Sequence, residues 1–208
     1  MKITVFGASG GTGAEVVRQA CEAGHEVTAV VRGRMDYAHE LLTVVVADVM
    51  DPAAIGAAVA GREAVVTAIG SRGGLKPTTV QADSSASIIA AMGEHGVRRL
   101  VAVSTSGLSE GGDDPLTRLV MKPLMGKVFR HPWGDMRVME AAVRGSGLDW
   151  TVIRPSRLTK GPRTGRYRTA VGRNVRGGLS IARADVADSV LRGLADPTTI
   201  GTAIALAY

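Results

Sequence analysis

Seven residues near the start of the chain, Gly7-Ala8-Ser9-Gly10-Gly11-Thr12-Gly13, lie between an apolar stretch, Lys2-Ile3-Thr4-Val5-Phe6, and a helix-forming one, Ala14-Glu15-Val16-Val17-Arg18-Gln19-Ala20. Gly7, Gly10 and Gly13 fall three apart. A turn this tight needs residues that accept positive φ and let a bulky group approach the backbone. The helix behind it aims free N–H groups and a positive dipole end at the turn, which suits a pyrophosphate. Four glycines in seven residues would weaken a helix start that served structure alone. The strand–turn–helix setting gives the spacing its specificity.

The rest of the chain repeats the alternation. Apolar runs at 27–31, 43–47, 64–69 and 100–104 read as strands, and 11–23 and 78–95 read as helices. Asp51-Pro52 starts a short helix, with Asp as cap and Pro at the first position. Near-continuous aliphatic strands are expected where helices cover both faces of a sheet. The fold expected is α/β: a doubly wound parallel sheet, the Rossmann fold, with ligands at the strand C-termini. Beyond 107 the pattern is less regular. Gly111-Gly112, Pro115, Pro123 and Pro132 predict a loop with a short helix over 107–132. A helix is expected at 134–145, and a strand at 150–153 stopped by Arg154-Pro155. A small irregular substrate-side region follows, then a helix at 185–194 and a strand at 202–206. Asp135 and Glu140 read either as acids in the cleft or, by preference, as a solvated face of the 134–145 helix. The 208 residues suit one domain, 1–208.

The charge is uneven. Net charge is +6, yet residues 151–184 carry nine Lys and Arg and no acid, leaving −3 for the remainder. Such a segment is either a solvated basic loop or a site that attracts an anionic ligand. Nucleic acid ranks below both, because Tyr167 is its only aromatic residue. No apolar run reaches transmembrane length, so no membrane association is expected. Met1 leads straight into the first strand, so no signal peptide is expected. Cys21 is the only cysteine, which fits a reducing cytoplasm. His25, His39, His95 and His131 are scattered, so no metal site is expected.

The end of the second strand identifies the cofactor. An acid there would bind the ribose hydroxyls of NAD. This chain reads Val30-Val31-Arg32-Gly33-Arg34 instead. Arginine pairs bidentately with a 2′-phosphate and stacks on adenine, so NADP(H) is expected, with Arg32 the better placed of the two. Asp48 and Val49, after the third strand, are placed to meet the adenine. Ala68, Ile69 and Gly70 end the fourth strand, where small residues let backbone lie along the cofactor, and Arg72 follows within reach of the phosphates.

Together these residues resemble the atypical short-chain dehydrogenase/reductases with NmrA-like, NAD(P)H-binding domains, and within them the flavin reductase/biliverdin reductase B group. The likeness rests on the glycine turn, Val31-Arg32, Asp48-Val49, Gly70-Ser71-Arg72, Pro77-Thr78-Thr79, Ser104-Thr105, Ser146-Gly147-Leu148 and Ile153-Arg154-Pro155, in family order. The resemblance implies that Gly7, Ser9, Gly10, Gly11, Thr12 and Gly13 hold the pyrophosphate. Arg32, with Arg72, would hold the 2′-phosphate. Ser104 and Thr105 would border the nicotinamide, Pro155 and Ser156 would flank its carboxamide, and Thr105 would be the catalytic position. Thr105 stands where flavin reductases of this type carry serine, and Arg157 where they carry histidine. The helix at 134–145 lacks the Tyr-x-x-x-Lys pair of alcohol-oxidising relatives. The implied function is NADPH-dependent reduction of a flavin or another small planar or anionic substrate. The alternative is a non-catalytic NADP(H)-sensing regulator with a partner protein. Trp133 is placed either to stack on a planar substrate or to fill the core.

Overall fold

The structure is a computed structural model that describes residues 1–71 and 74–208. Its first half runs β1 (Lys2–Phe6), α1 (Gly11–Glu22), β2 (Glu26–Val31), β3 (Leu42–Val46), α2 (Pro52–Val59), β4 (Ala64–Thr67), α3 (Val80–Glu94) and β5 (Arg99–Val103). The second half runs α4 (Lys122–Val128), α5 (Arg130–Gly145), β6 (Asp149–Pro155), β7 (Arg157–Thr159), β8 (Arg168–Val171), β9 (Ser180–Ala182), α6 (Arg183–Ala195) and β10 (Thr202–Ala207).

Eight strands form one sheet in the order β3-β2-β1-β4-β5-β6-β10-β8. All neighbours are parallel except β8, which runs antiparallel to β10. The strand order reverses between β1 and β4, which opens the ligand crevice of a doubly wound sheet at their C-terminal ends. Registers align those ends: Phe6 sits opposite both Val30 and Thr67, and Val103 opposite Ile153. The residues that follow these strands therefore share one edge.

Alternation along β1 serves two cores. Ile3 and Val5 pack with Val16, Val17 and Ala20 of α1 and with Val186 and Val190 of α6. Phe6 packs on the other face with Ile55 of α2, Ile88 and Met92 of α3, and Met139 and Val143 of α5. Each fully buried side chain of this size contributes about 1.5–3 kcal/mol. The Asp51 cap forms as the sequence predicts, its carboxylate accepting the Ala53 N–H at 3.0 Å. β3 departs from a strand buried on both faces. It is an edge strand, and Val44 and Val46 are exposed.

The second half corrects four expectations. β6 continues through Arg154 and Pro155, because β10 pairs with it to Leu206↔Pro155. The segment 107–132 is mostly helical, with a π-helical turn at Thr117–Met121 leading into α4 and then α5. The irregular region contains β8 and a small parallel pair, β7 with β9. Asp135 and Glu140 are not a solvated face: both are buried.

Candidate functional site

The crevice at the β1/β4 ends is a groove of about 500 Å³. Its walls include Gly7, Ser9, Gly10, Gly11 and Thr12 from the turn, Arg32 after β2, and Asp48 and Val49 after β3. Ala68 and Gly70 after β4, and Ser104 after β5, complete it. Gly7 has φ +77°, and a Cβ there would lie 2.7 Å from the Ala68 carbonyl. A Cβ on Gly13 would overlap the Gly7 carbonyl oxygen. Gly13 thus serves the packing of α1 on the turn rather than the groove wall. The turn packs closely on Ala68 and on α1, lines the groove with little but backbone, and is backed by the N-terminus of α1. These residues fit a dinucleotide.

Arg32 is exposed and faces the groove, whereas Arg34 turns to solvent and pairs with Asp36 at 3.0 Å. Asp48 accepts the Met50 N–H at 3.0 Å, which fixes the loop that carries Val49 along the groove. Arg72 lies outside the described residues.

A second cavity, of about 510 Å³, opens next to the groove. Ser104, Met136 and Leu158 line both. Thr105, Pro155, Ser156 and Arg157 line this second cavity and not the groove. Its far wall is Met121, Met125, Phe129 and Trp133. Phe129 and Trp133 stack with centroids 5.8 Å apart and planes 17° apart. A Cβ on Gly107 would collide with the Trp133 ring, so the ring lies directly against the backbone there. Trp133 is a cavity wall rather than a core filler. Ser156 Oγ and Asn174 Oδ1, in residues lining the cavity, are buried without a hydrogen-bond partner. Thr105 Oγ1 accepts the Gly107 N–H at 3.3 Å, leaving its hydroxyl proton available.

Behind Ser104 stands a buried ionic cluster absent from the sequence reading. Glu140 of α5 takes Arg154 of β6 bidentately, Nε at 2.9 Å and Nη2 at 2.5 Å, and accepts the Ser104 hydroxyl at 2.6 Å. Burial raises the Glu140 pKa, but the bonds from Arg154 and Ser104 and the charges of Arg154 and Arg144 outweigh it and hold the carboxyl below its usual range. Asp135 accepts the backbone N–H groups of Gln81 and Ala82 at 3.0 and 2.9 Å, which closes the N-terminus of α3. Lys122 pairs with Asp113 at 2.9 Å, and Asp113 also takes Asn174 Nδ2 at 2.6 Å.

The basic segment divides. Arg154 is spent on Glu140, Arg163 on Asp188, and Arg168 on the carbonyls of Arg176 and Tyr208. Arg157 faces the second cavity and Arg183 the groove. In the sequence, Arg183 is one positive charge among nine in the basic segment. Its neighbours, Gly11 and Thr159, are distant in sequence, so no spacing marks it.

A family model described as NAD(P)H-binding matches residues 7–197. Solved structures share the whole fold. A protein of Burkholderia pseudomallei, described as a candidate exported protein, is 28% identical with a TM-score of 0.82, and the alignment covers 100% of both chains. A Veillonella parvula short-chain dehydrogenase/reductase in complex with NADP is 21% identical with a TM-score of 0.82, covering 100% of this chain and 94% of that one. A Streptococcus pneumoniae protein proposed to be an NADH-flavin reductase is 22% identical with a TM-score of 0.80, covering 100% and 99%. Among the described residues, no helix is long and apolar enough to cross a membrane.

Proposed function

The chain belongs to the NAD(P)H-binding family, and from that premise we propose that it is an NADPH-dependent reductase passing hydride to a flavin or a similar planar acceptor. The carrying observation is that two cavities of matched size meet at Ser104, Met136 and Leu158. One has the turn and flanking residues of a dinucleotide site. The other has the stacked Phe129–Trp133 wall of a site for a flat ring. The Veillonella relative that holds NADP and the Streptococcus protein proposed to act on flavin support the same reading.

The residues divide the work. Gly7, Ser9, Gly10, Gly11 and Thr12 would cradle the pyrophosphate, and Arg32 the 2′-phosphate. Asp48 and Val49 would border the adenine. When bound, the reduced nicotinamide supplies the hydride. Glu140 holds the Ser104 hydroxyl at the junction, so that wall is fixed before ligands arrive. Thr105 offers a hydroxyl from the acceptor side. Ser156 and Asn174 line the same cavity, and their buried Oγ and Oδ1 have no hydrogen-bond partner. Trp133 and Phe129 would orient that ring and exclude water, which is most of what hydride transfer between stacked rings requires. α5 carries neither tyrosine nor lysine, so solvent would supply the proton.

The test is NADPH oxidation with FMN, riboflavin and a soluble quinone in parallel. Turnover with at least one is expected. Tight NADPH binding with no turnover on the whole panel would overturn the enzyme reading and leave the NADP(H)-sensing one.

A further inference from the structure

We propose that Arg183 is a second-side clamp for the cofactor's diphosphate, closing over the glycine turn from the opposite end of the chain. The inference rests on the dinucleotide reading of the groove. Arg183 is the first residue of α6 and follows β9 directly. Its side chain lies across Gly11, the first residue of α1. A Cβ at Gly11 would come within 2.8 Å of Arg183 Cδ and Nε. The side chain is half-buried and lines the groove. One guanidinium nitrogen, Nη1, donates to the Thr159 carbonyl of β7 at 3.2 Å. That bond anchors one corner of the fork, and no carboxylate neutralises Arg183 among the ion pairs of the described residues.

The placement is specific. The N-terminus of α1 offers backbone N–H groups to an anion from one side. Arg183 places a permanent cation with further N–H donors at the same spot. A side chain at Gly11 would press on the Arg183 side chain, which would have to shift. Arg32 belongs to the far end of the groove, after β2, and would meet a different phosphate. The two arginines therefore have separable roles: Arg32 distinguishes NADPH from NADH, whereas Arg183 serves the diphosphate that both share.

The experiment measures dissociation constants of NADPH, NADH and 2′-AMP for the wild type, Arg183→Gln, Arg183→Lys and Arg32→Gln. Removing a hydrogen-bonded charge at a phosphate weakens binding by about tenfold or more. Arg183→Gln is expected to weaken NADPH and NADH by the same factor and leave 2′-AMP, which has no diphosphate, unchanged. Arg183→Lys is expected to fall between the wild type and Gln. Arg32→Gln is expected to weaken NADPH and 2′-AMP and spare NADH. Unchanged dinucleotide affinity in Arg183→Gln would overturn the clamp while the dinucleotide reading stands. A loss of 2′-AMP binding by Arg183→Gln would also overturn it, showing a general disturbance. A wild type that binds neither dinucleotide would overturn the dinucleotide reading and the clamp with it.

Discussion

Ser104 donates its hydroxyl to Glu140 at 2.6 Å, and Glu140 is in turn gripped by Arg154. A residue at the junction of two cavities is thereby tied to the interior of the protein through Glu140, a residue that is 4% exposed. Replacing Glu140 by Gln leaves the Arg154 charge buried without its partner. Breaking a buried pair from one side costs about 3–5 kcal/mol. The expected result is a destabilisation of that order in chemical denaturation. The double replacement Glu140→Gln with Arg154→Met is expected to recover much of the loss, because it removes the orphaned charge.

The same pair predicts an acid sensitivity. An unperturbed glutamate titrates near about 4.3, and folded Glu140 titrates lower. The pair's stabilisation is therefore full above the unfolded value and is lost as pH falls through the folded one. Unfolding free energies measured for wild type and Glu140→Gln should converge as pH drops below about 4. A constant gap across that range would show that Glu140 does not carry the effect.

This cluster also marks where the sequence stops being legible. The Rossmann frame was readable because each strand is an aliphatic run and the turn at 7–13 has a local chemical logic. Arg32 was readable because its position follows from the end of β2. Glu140 was not, since on α5 it looks like any surface acid and its partner Arg154 sits on a strand. β7, β8 and β9 were missed for a related reason. They are short, β7 and β8 are mostly exposed, and all three are held by pairing to one another or to β10 rather than by an apolar run of their own. Tyr208 also ties this region together. Its hydroxyl donates to Asp185 and accepts the Ala182 N–H, contacts that no local pattern announces. Pro155 and Ser156, expected to flank the carboxamide, line the second cavity where it adjoins the groove, and β6 runs further than the proline suggested.

Arg32→Glu reverses the charge at the end of the groove that would take the 2′-phosphate. It is expected to weaken NADPH by about tenfold to a hundredfold, the range for a lost charged hydrogen bond plus repulsion, with little effect on NADH. Fluorescence titration with each nucleotide checks this. Equal losses would show that Arg32 does not read the phosphate.

Gly107→Ala acts on the second cavity alone. The added methyl would collide with the Trp133 ring, which must then rotate away from its stack on Phe129. The KM for a planar acceptor is expected to rise several-fold while the dissociation constant for NADPH stays unchanged. Trp133→Leu is expected to act in the same direction. If both variants keep the wild-type KM, the aromatic wall does not hold the acceptor.

Two glycines in helices test whether the turn is built by contact or only by composition. Gly13 lies in the first turn of α1, and a methyl there would run into the Gly7 carbonyl oxygen. The obstacle is backbone, so the turn itself must shift. Gly13→Ala is expected to cost about 1–3 kcal/mol, the usual range for overpacking, and to weaken both dinucleotides because the cradle moves with Gly7. Gly134 lies in α5, and a methyl there would meet nothing within 4 Å. Gly134→Ala removes the entropic penalty of glycine in a helix and is expected to stabilise by about 0.5–1 kcal/mol. Thermal unfolding of the two variants, with and without NADPH, reads both effects. Only Gly13→Ala should lose the stabilisation that the nucleotide confers on the wild type, because only there does the helix press on the turn that would hold the phosphates.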